Sequence, residues 1–414
     1  MPRPLRARIL IAVAAIASAG GVAWVGAWVN DKRIDRSLSE ASLDTLSRQA
    51  SQPEWLRDPK VHYWHGVRLA EAGKDREAIA ALVLSARLDP KAAPVRHALG
   101  VLLEQVGRPA DAEVQFKEAL RLAPDAAGTH FTLGRIYGKY NRWHDAVDSL
   151  EQAHRLDPGD DEATLGLAMA CNELALRSNE PLRERARDLL LELRRHRPGD
   201  VRVLRQLAGL HVFFNELDLA TECYRRVLAI QPADGATRRL LGRTLAEKGI
   251  STAEFDEAER LLAQCAAEAP DDPEIVLAQG ILAQRRDRTD VAAKLLRRAI
   301  ALGGTDPEIW FRLGRVLARL GESKAAAAAN AVFTKRDRVR RGIRTLETRI
   351  SFDDAEGRQG PEWERNRVAL AKLQLEDRNP KKAAALLNEV LARNPDRADV
   401  RALLARCAGA AGGG

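Results

Sequence analysis

Cysteine, aromatic residues and catalytic signatures are all scarce in this chain, and each scarcity closes off a class of protein. The four cysteines, Cys171, Cys223, Cys265 and Cys407, are scattered through 414 residues. They form no closely spaced framework of the kind that staples small exported domains, so the thiols are expected to act as small apolar residues. Aromatic residues make up 5% of the chain, which leaves alanine and leucine to fill its core. There is no phosphate-cradling glycine loop, no GxSxG nucleophile turn and no metalloprotease motif. His62 and His65 stand three apart beside Tyr63 and Trp64, a spacing that could put two ligands on one helical face, but no third ligand accompanies them. The chain is therefore expected to be no enzyme and to need neither metal nor cofactor.

What it does have is charge and repetition. With 45% hydrophobic and 30% charged residues it is too apolar to be disordered. The formal net charge of +8 permits an anionic partner without requiring one. Pro90, Pro124 and Pro158 stand 34 residues apart, and the residues between them follow one pattern twice. Leu99, Gly100, Leu103, Ala112, Phe116 and Ala119 before Pro124 correspond to Leu133, Gly134, Tyr137, Ala146, Leu150 and Ala153 before Pro158. Both sets occupy positions 7, 8, 11, 20, 24 and 27 of a unit whose proline is at position 32. Glycine and alanine at 8, 20 and 27 let two helices approach closely, and larger residues at 7, 11 and 24 fill the space between them. Proline at 32 ends the second helix, having no N–H to donate.

This pattern closely resembles the tetratricopeptide repeat, a helix-turn-helix unit of the same length. The resemblance implies an all-α fold, a right-handed superhelical α-solenoid of about nine repeats, since one unit cannot bury its apolar face alone. Further repeats end at Pro198, Pro232 and Pro270, and Gly303-Gly304 stands in place of the next proline. The unit ending at Pro198 is 40 residues long, with its insertion expected around Arg177 to Pro181, and that ending at Pro270 is 38, with its insertion expected near Gly249 to Ala253. Cys171 and Cys265 fall on core positions 11 and 27. Repeat eight opens at Pro307, and Gln279 and Asn330 depart from the pattern at positions 7 and 24.

The N-terminus carries a different signal. Ile9 to Val29 contains no charge and follows Arg3, Arg6 and Arg8. As a helix it would reach roughly 31 Å, enough to cross a hydrocarbon core, with Trp24 and Trp28 near its far end. Ala17-Ser18-Ala19 has the form of a signal-peptide cleavage site. Because the apolar run continues for ten residues beyond Ala19, an anchor is the preferred reading over a cleaved signal. The division expected is a cytoplasmic basic segment 1–8, a transmembrane helix 9–29, a polar helical spacer 30–58, a repeat array 59–321, an extended arginine-rich helix and loop 322–360, a last repeat with the start of a capping helix 361–408, and a disordered tail 409–414. In the extended helix Val339, Ile343, Leu346 and Ile350 recur at helical spacing and form an apolar seam.

In the family, partners sit on the inner face, lined by the first helix of each repeat at positions 2, 5, 9, 12 and 13. Carried onto this chain, that face includes Tyr63, His97, Phe131, Arg135, Lys139, Arg205, Arg239, Arg243, Phe311, Arg315 and Arg319. It is apolar and aromatic in its first half and rich in arginine in its second. Arg205 and Arg239 share position 5 of successive repeats, and Arg239 and Arg243 are one turn apart, so the three could converge on one acidic ligand. No three consecutive repeats carry the lysine, asparagine and arginine set with which some family members hold a C-terminal carboxylate. The expectation is a membrane-tethered adaptor for protein partners, some with acidic segments, on the outer side of a bacterial inner membrane. The alternative is an anion binder whose arginine-lined face engages nucleic acid or acidic polymer, though few aromatics lie beside those arginines for bases to stack on.

Overall fold

The computed structural model describes residues 34–175, 181–355 and 360–411, and all regular structure in them is helical. The chain forms two compact units, residues 1–171 and 172–414. In the first are α1 (Ile34–Glu40), α2 (Leu43–Ser51) and the pairs α3 (Pro59–Glu71) with α4 (Asp75–Leu88), α5 (Ala93–Gln105) with α6 (Pro109–Leu122), and α7 (Ala127–Lys139) with α8 (Trp143–Leu156). Helix α9 (Asp161–Ala175) carries the boundary. The second unit continues with α10 (Leu182–His196), α11 (Val201–Phe213) with α12 (Leu217–Ile230), α13 (Gly235–Lys248) with α14 (Thr252–Glu268), and α15 (Pro273–Arg285) with α16 (Thr289–Ala301). It ends with α17 (Pro307–Arg319), α18 (Ser323–Ala355), α19 (Pro361–Glu376), α20 (Pro380–Arg393) and α21 (Ala398–Ala411).

Each pair packs through the residues that mark the repeat. A Cβ built on Gly134 would lie 2.6 Å from Leu150 Cγ, and one on Gly100 would lie 2.9 Å from the Phe116 ring. Position 8 is thus pressed against the large residue at position 24, and only a hydrogen fits between them. The alanines at position 20, from Ala78 and Ala112 to Ala292 and Ala383, are buried. The turn between the helices needs a left-handed residue at position 15, supplied by Gly73, Gly107 and Gly321, by Asn141 and Asn215, by Asp287, and by Arg378 with φ of 62°. Six first helices begin on aspartate caps: the carboxylates of Asp58, Asp160, Asp200, Asp234, Asp272 and Asp306 each accept from a backbone N–H in the first turn.

Several expectations change. Within the expected spacer 30–58 the described residues hold two helices, because Ser42 caps a new start by accepting from Thr45 N at 3.2 Å. Leu38 and Leu46 are buried with Val61 of α3, and Arg68 Nε donates to Ala41 O at 3.2 Å, so α1 and α2 cover the open end of repeat one instead of forming a detached spacer. The extra residues of the sixth repeat do not make a long loop. They lengthen α14 to 17 residues, with Ser251 and Glu254 closing a capping box at its start. Residues 409–411, expected in a disordered tail, complete α21, whose Val400, Leu403 and Cys407 close the core of the last repeat. Among the described residues no helix is long and apolar enough to cross a membrane; Ile9 to Val29 and most of the fourth-repeat insertion lie outside them.

Helix α18 runs for 33 residues without interruption. Its seam packs inward at Val339 and Ile350, and it contacts both α17 and α19. A Cβ at Gly342 would lie 2.8 Å from Leu373 Cδ1 of α19, so the glycine marks the close approach of the two helices.

Candidate functional site

The first-helix face holds two kinds of residue, and in the first unit most are engaged. Tyr63 and His97 are buried, at 2% and 6% exposure, so they belong to the core and offer nothing to a partner. His97 Nδ1 lies 2.9 Å from Thr129 Oγ1 of the next repeat, and burial lowers its pKa to about 4. Burial likewise raises the Tyr63 hydroxyl to about 12. Phe131 is half-buried with the Arg135 guanidinium 5.6 Å above its ring, and Lys139 is paired with Glu104 of the preceding repeat.

In the second unit the expected convergence of arginines does not occur, because carboxylates of neighbouring repeats take them up one by one. Arg205 reaches Asp234 at 3.2 Å and Gln231 at 2.9 Å, and Arg239 pairs with Glu274. Arg243 bonds Glu247 at 3.1 Å and, two repeats on, Glu308 at 2.7 Å. Burial works against the Arg243 charge, but Glu308 and Glu247 outweigh it and its pKa is raised. Glu308 also holds Arg312 at 2.6 Å, so two arginines and two glutamates form one neutral cluster. Arg319 meets Asp287 at 3.4 Å. The sequence could not show this pairing, since each partner is set by how one repeat is rotated on the next.

Arg315 differs from these. It has no ion-pair partner among the described residues, and its guanidinium stands 5.8 Å over the ring of Phe311, one turn earlier on α17. Phe311 is 41% exposed and its ring centre is 5.3 Å from that of Phe333 on α18. An exposed Phe311 packed on the half-buried Phe333, beside an uncommitted guanidinium, offers apolar area and fixed donors together, the composition that concentrates binding energy at protein interfaces. Phe333 was not anticipated: it takes the place of alanine at position 27, and that substitution was the available signal.

The two candidate metal ligands are occupied otherwise: His62 Nε2 lies 2.9 Å from Leu56 O and His65 Nε2 3.1 Å from Ser47 Oγ. All four cysteines are buried free thiols.

Models of the tetratricopeptide repeat match residues 129–162, 277–338 and 361–412. This is a tetratricopeptide-repeat protein. The match over 277–338 takes in both Gln279 and Asn330, the two departures from the pattern. Such proteins are scaffolds for protein–protein interaction and typically not enzymes, so the partners of this chain are proteins. No curated protein matches the chain. Among solved structures it is similar to YrrB, described as a TPR protein with an unusual peptide-binding site, at 18% identity and a TM-score of 0.41 over 47% of this chain and 97% of that one. It is also similar to PilF of Pseudomonas aeruginosa, at 19% identity and a TM-score of 0.44 over 53% and 96% of the two chains. For PilW, described as a widely conserved type IV pilus biogenesis factor, the values are 17% and 0.41 over 52% and 96%.

Proposed function

We propose that this tetratricopeptide-repeat protein is an adaptor of the bacterial cell envelope, held in the inner membrane by residues 9–29 with its repeats on the outer side. It engages protein partners through Phe311, Phe333 and Arg315. The observation that carries the contact site is the exposure of Phe311 beside a guanidinium with no carboxylate partner, on a face where the other second-unit arginines expected to bind are already paired. The membrane placement rests on the charge-free run after Arg3, Arg6 and Arg8.

A photo-crosslinking residue at position 311 of the full chain, activated in intact cells, should capture a protein partner that the same residue at exposed Val114 does not. Equal capture at both positions would remove α17 from the site. For the placement, a reporter active only outside the cytoplasm and fused after Gly414 should be active, and carbonate should leave the protein in the membrane fraction. Activity confined to the cytoplasm would overturn export, and release by carbonate would replace the anchor with a cleaved signal.

A further inference from the structure

Ion pairs such as Arg205 with Asp234 and Arg239 with Glu274 join neighbouring repeats. The cluster around Arg243 passes over one. Arg243 Nη2 on α13 donates to Glu308 on α17 at 2.7 Å, and the two residues stand 65 apart in sequence with the whole of repeat seven between them. Glu247, one turn after Arg243, faces Arg312, one turn after Glu308, at 3.9 Å. Within each helix the charges close again, Arg243 on Glu247 at 3.1 Å and Arg312 on Glu308 at 2.6 Å, so α13 and α17 are linked twice. Helix α15, between them, adds Gln284 Oε1, which accepts from Arg312 Nη1 at 3.5 Å.

A contact between neighbours depends on one rotation of repeat on repeat. A contact between repeats six and eight depends on two in succession, and it forms only where both bring the first helices together on the inner face. It therefore fixes the curvature of the array, which a pair between neighbours cannot do. The four side chains are between 20% and 32% exposed. They are withdrawn from water enough for their attraction to exceed that of an exposed pair, yet salt still reaches them. With two charges of each sign in contact, neither sign is left over to hold a ligand ion. Phe311 lies between Glu308 and Arg312 on α17, so the open ring stands at the foot of this link.

We propose that Arg243, Glu247, Glu308 and Arg312 form an ionic strut that fixes the curvature of the groove over repeat seven and so pre-organises the surface beside Phe311 for its protein partner. A surface already held in its bound shape loses less freedom on binding. Raised ionic strength, or loss of one of the four charges, releases the strut and lets repeats six and eight move apart. The pre-organisation rests on Phe311 being the contact, whereas the strut does not.

The test is the distance between spin labels on the full chain in detergent, attached through Ala236→Cys on α13 and Ala318→Cys on α17, both at exposed positions. The native thiols are buried and are spared by the label. Arg243→Gln and Glu308→Gln should each shift the distance to longer values and broaden it, and the double variant should shift it no further than either alone. Raising salt from about 0.1 to 1 M, which shortens the screening length from about 10 to 3 Å, should lengthen the distance in the otherwise unchanged chain and leave the double variant unmoved. Glu322→Gln, which removes a charge paired with Arg297 of the neighbouring repeat at 2.8 Å, should have no effect. An unchanged distance in both single variants and in high salt would overturn the strut, as would an equal salt shift in the double variant or an equal lengthening in Glu322→Gln. The salt arm needs no further substitution, so a variant that failed to fold would not shield the strut from refutation. For the groove, capture through a crosslinking residue at position 311 should fall several-fold in Arg243→Gln. Capture at the wild-type level with the distance lengthened would overturn the pre-organisation. No capture at position 311 in an otherwise wild-type chain would overturn the contact and the pre-organisation with it, while the distance still judges the strut.

Discussion

Repeat three and the crossing of α18 over α19 each place a glycine where two helices meet, and they differ in what lies opposite. Beside Gly134 a Cβ would meet the backbone as well as Leu150: Leu150 N at 3.1 Å and Ala146 O at 3.2 Å. Beside Gly342 it would meet only Leu373, first at a terminal methyl 2.8 Å away. Backbone cannot give way without moving the helix, whereas a methyl can rotate aside. Inside a repeat the spacing is therefore fixed by small residues at fixed positions, and at the crossing it is fixed by whichever side chains happen to face each other. The same contrast separates the buried His97, locked between repeats, from arginines such as Arg239 whose partners are set by rotation of one repeat on the next.

The largest expected effect concerns that locked interior. The folded-state pKa of His97 is depressed to about 4 by burial. At a pH above the ordinary value of about 6.5 neither the folded nor the unfolded chain carries the proton, and the native packing retains its full stability. As the pH falls from there towards 4 the unfolded chain takes up a proton that the folded chain refuses, and stability is lost on the order of 3 kcal/mol. Equilibrium unfolding at pH 7 and pH 4.5 should show a larger loss in wild type than in His97→Gln. Parallel losses would mean that His97 is solvated and that the repeat interior is less closed than described.

Next in size, Gly134→Ala should cost about 1–3 kcal/mol by overpacking, measured by denaturant midpoint. Gly342→Ala should fall near zero, because the gain in helix propensity of about 1 kcal/mol offsets the displacement of Leu373. Equal losses at the two sites would erase the distinction between a backbone-limited and a side-chain-limited approach.

The smallest effect sharpens the comparison at the turns. Arg378 holds the left-handed position that Gly73, Gly107 and Gly321 fill in other repeats. Arg378→Gly should raise stability by about 0.5–1 kcal/mol, and Asn141→Gly by less, since asparagine tolerates that conformation. A loss at Arg378 would mean that its side chain contributes more than its backbone costs.

These contrasts also account for what could be read in advance. Pro124, Gly134, Ala146 and Leu150 announce the repeat because each of their positions accepts only a narrow range of sizes and shapes. The cover formed by α1 and α2 was not legible: its buried residues, Leu38 and Leu46, are two aliphatics in a polar stretch, and nothing local says that they meet Val61. The division of the arginines into paired and unpaired was not legible either. Arg239 and Arg315 look alike in sequence, and only the register of neighbouring repeats gives one of them Glu274 and leaves the other beside Phe311.

That division is the centre of the account, and capture of a partner from detergent-solubilised membranes by the tagged full chain tests it most directly. Phe311→Ala should reduce capture by about tenfold or more, as expected for an interface anchor, while Arg239→Ala, which removes a charge already bound to Glu274, should leave capture close to wild type. Loss of the partner on Arg239→Ala with retention on Phe311→Ala would contradict the account and return the binding site to the ion-paired arginines.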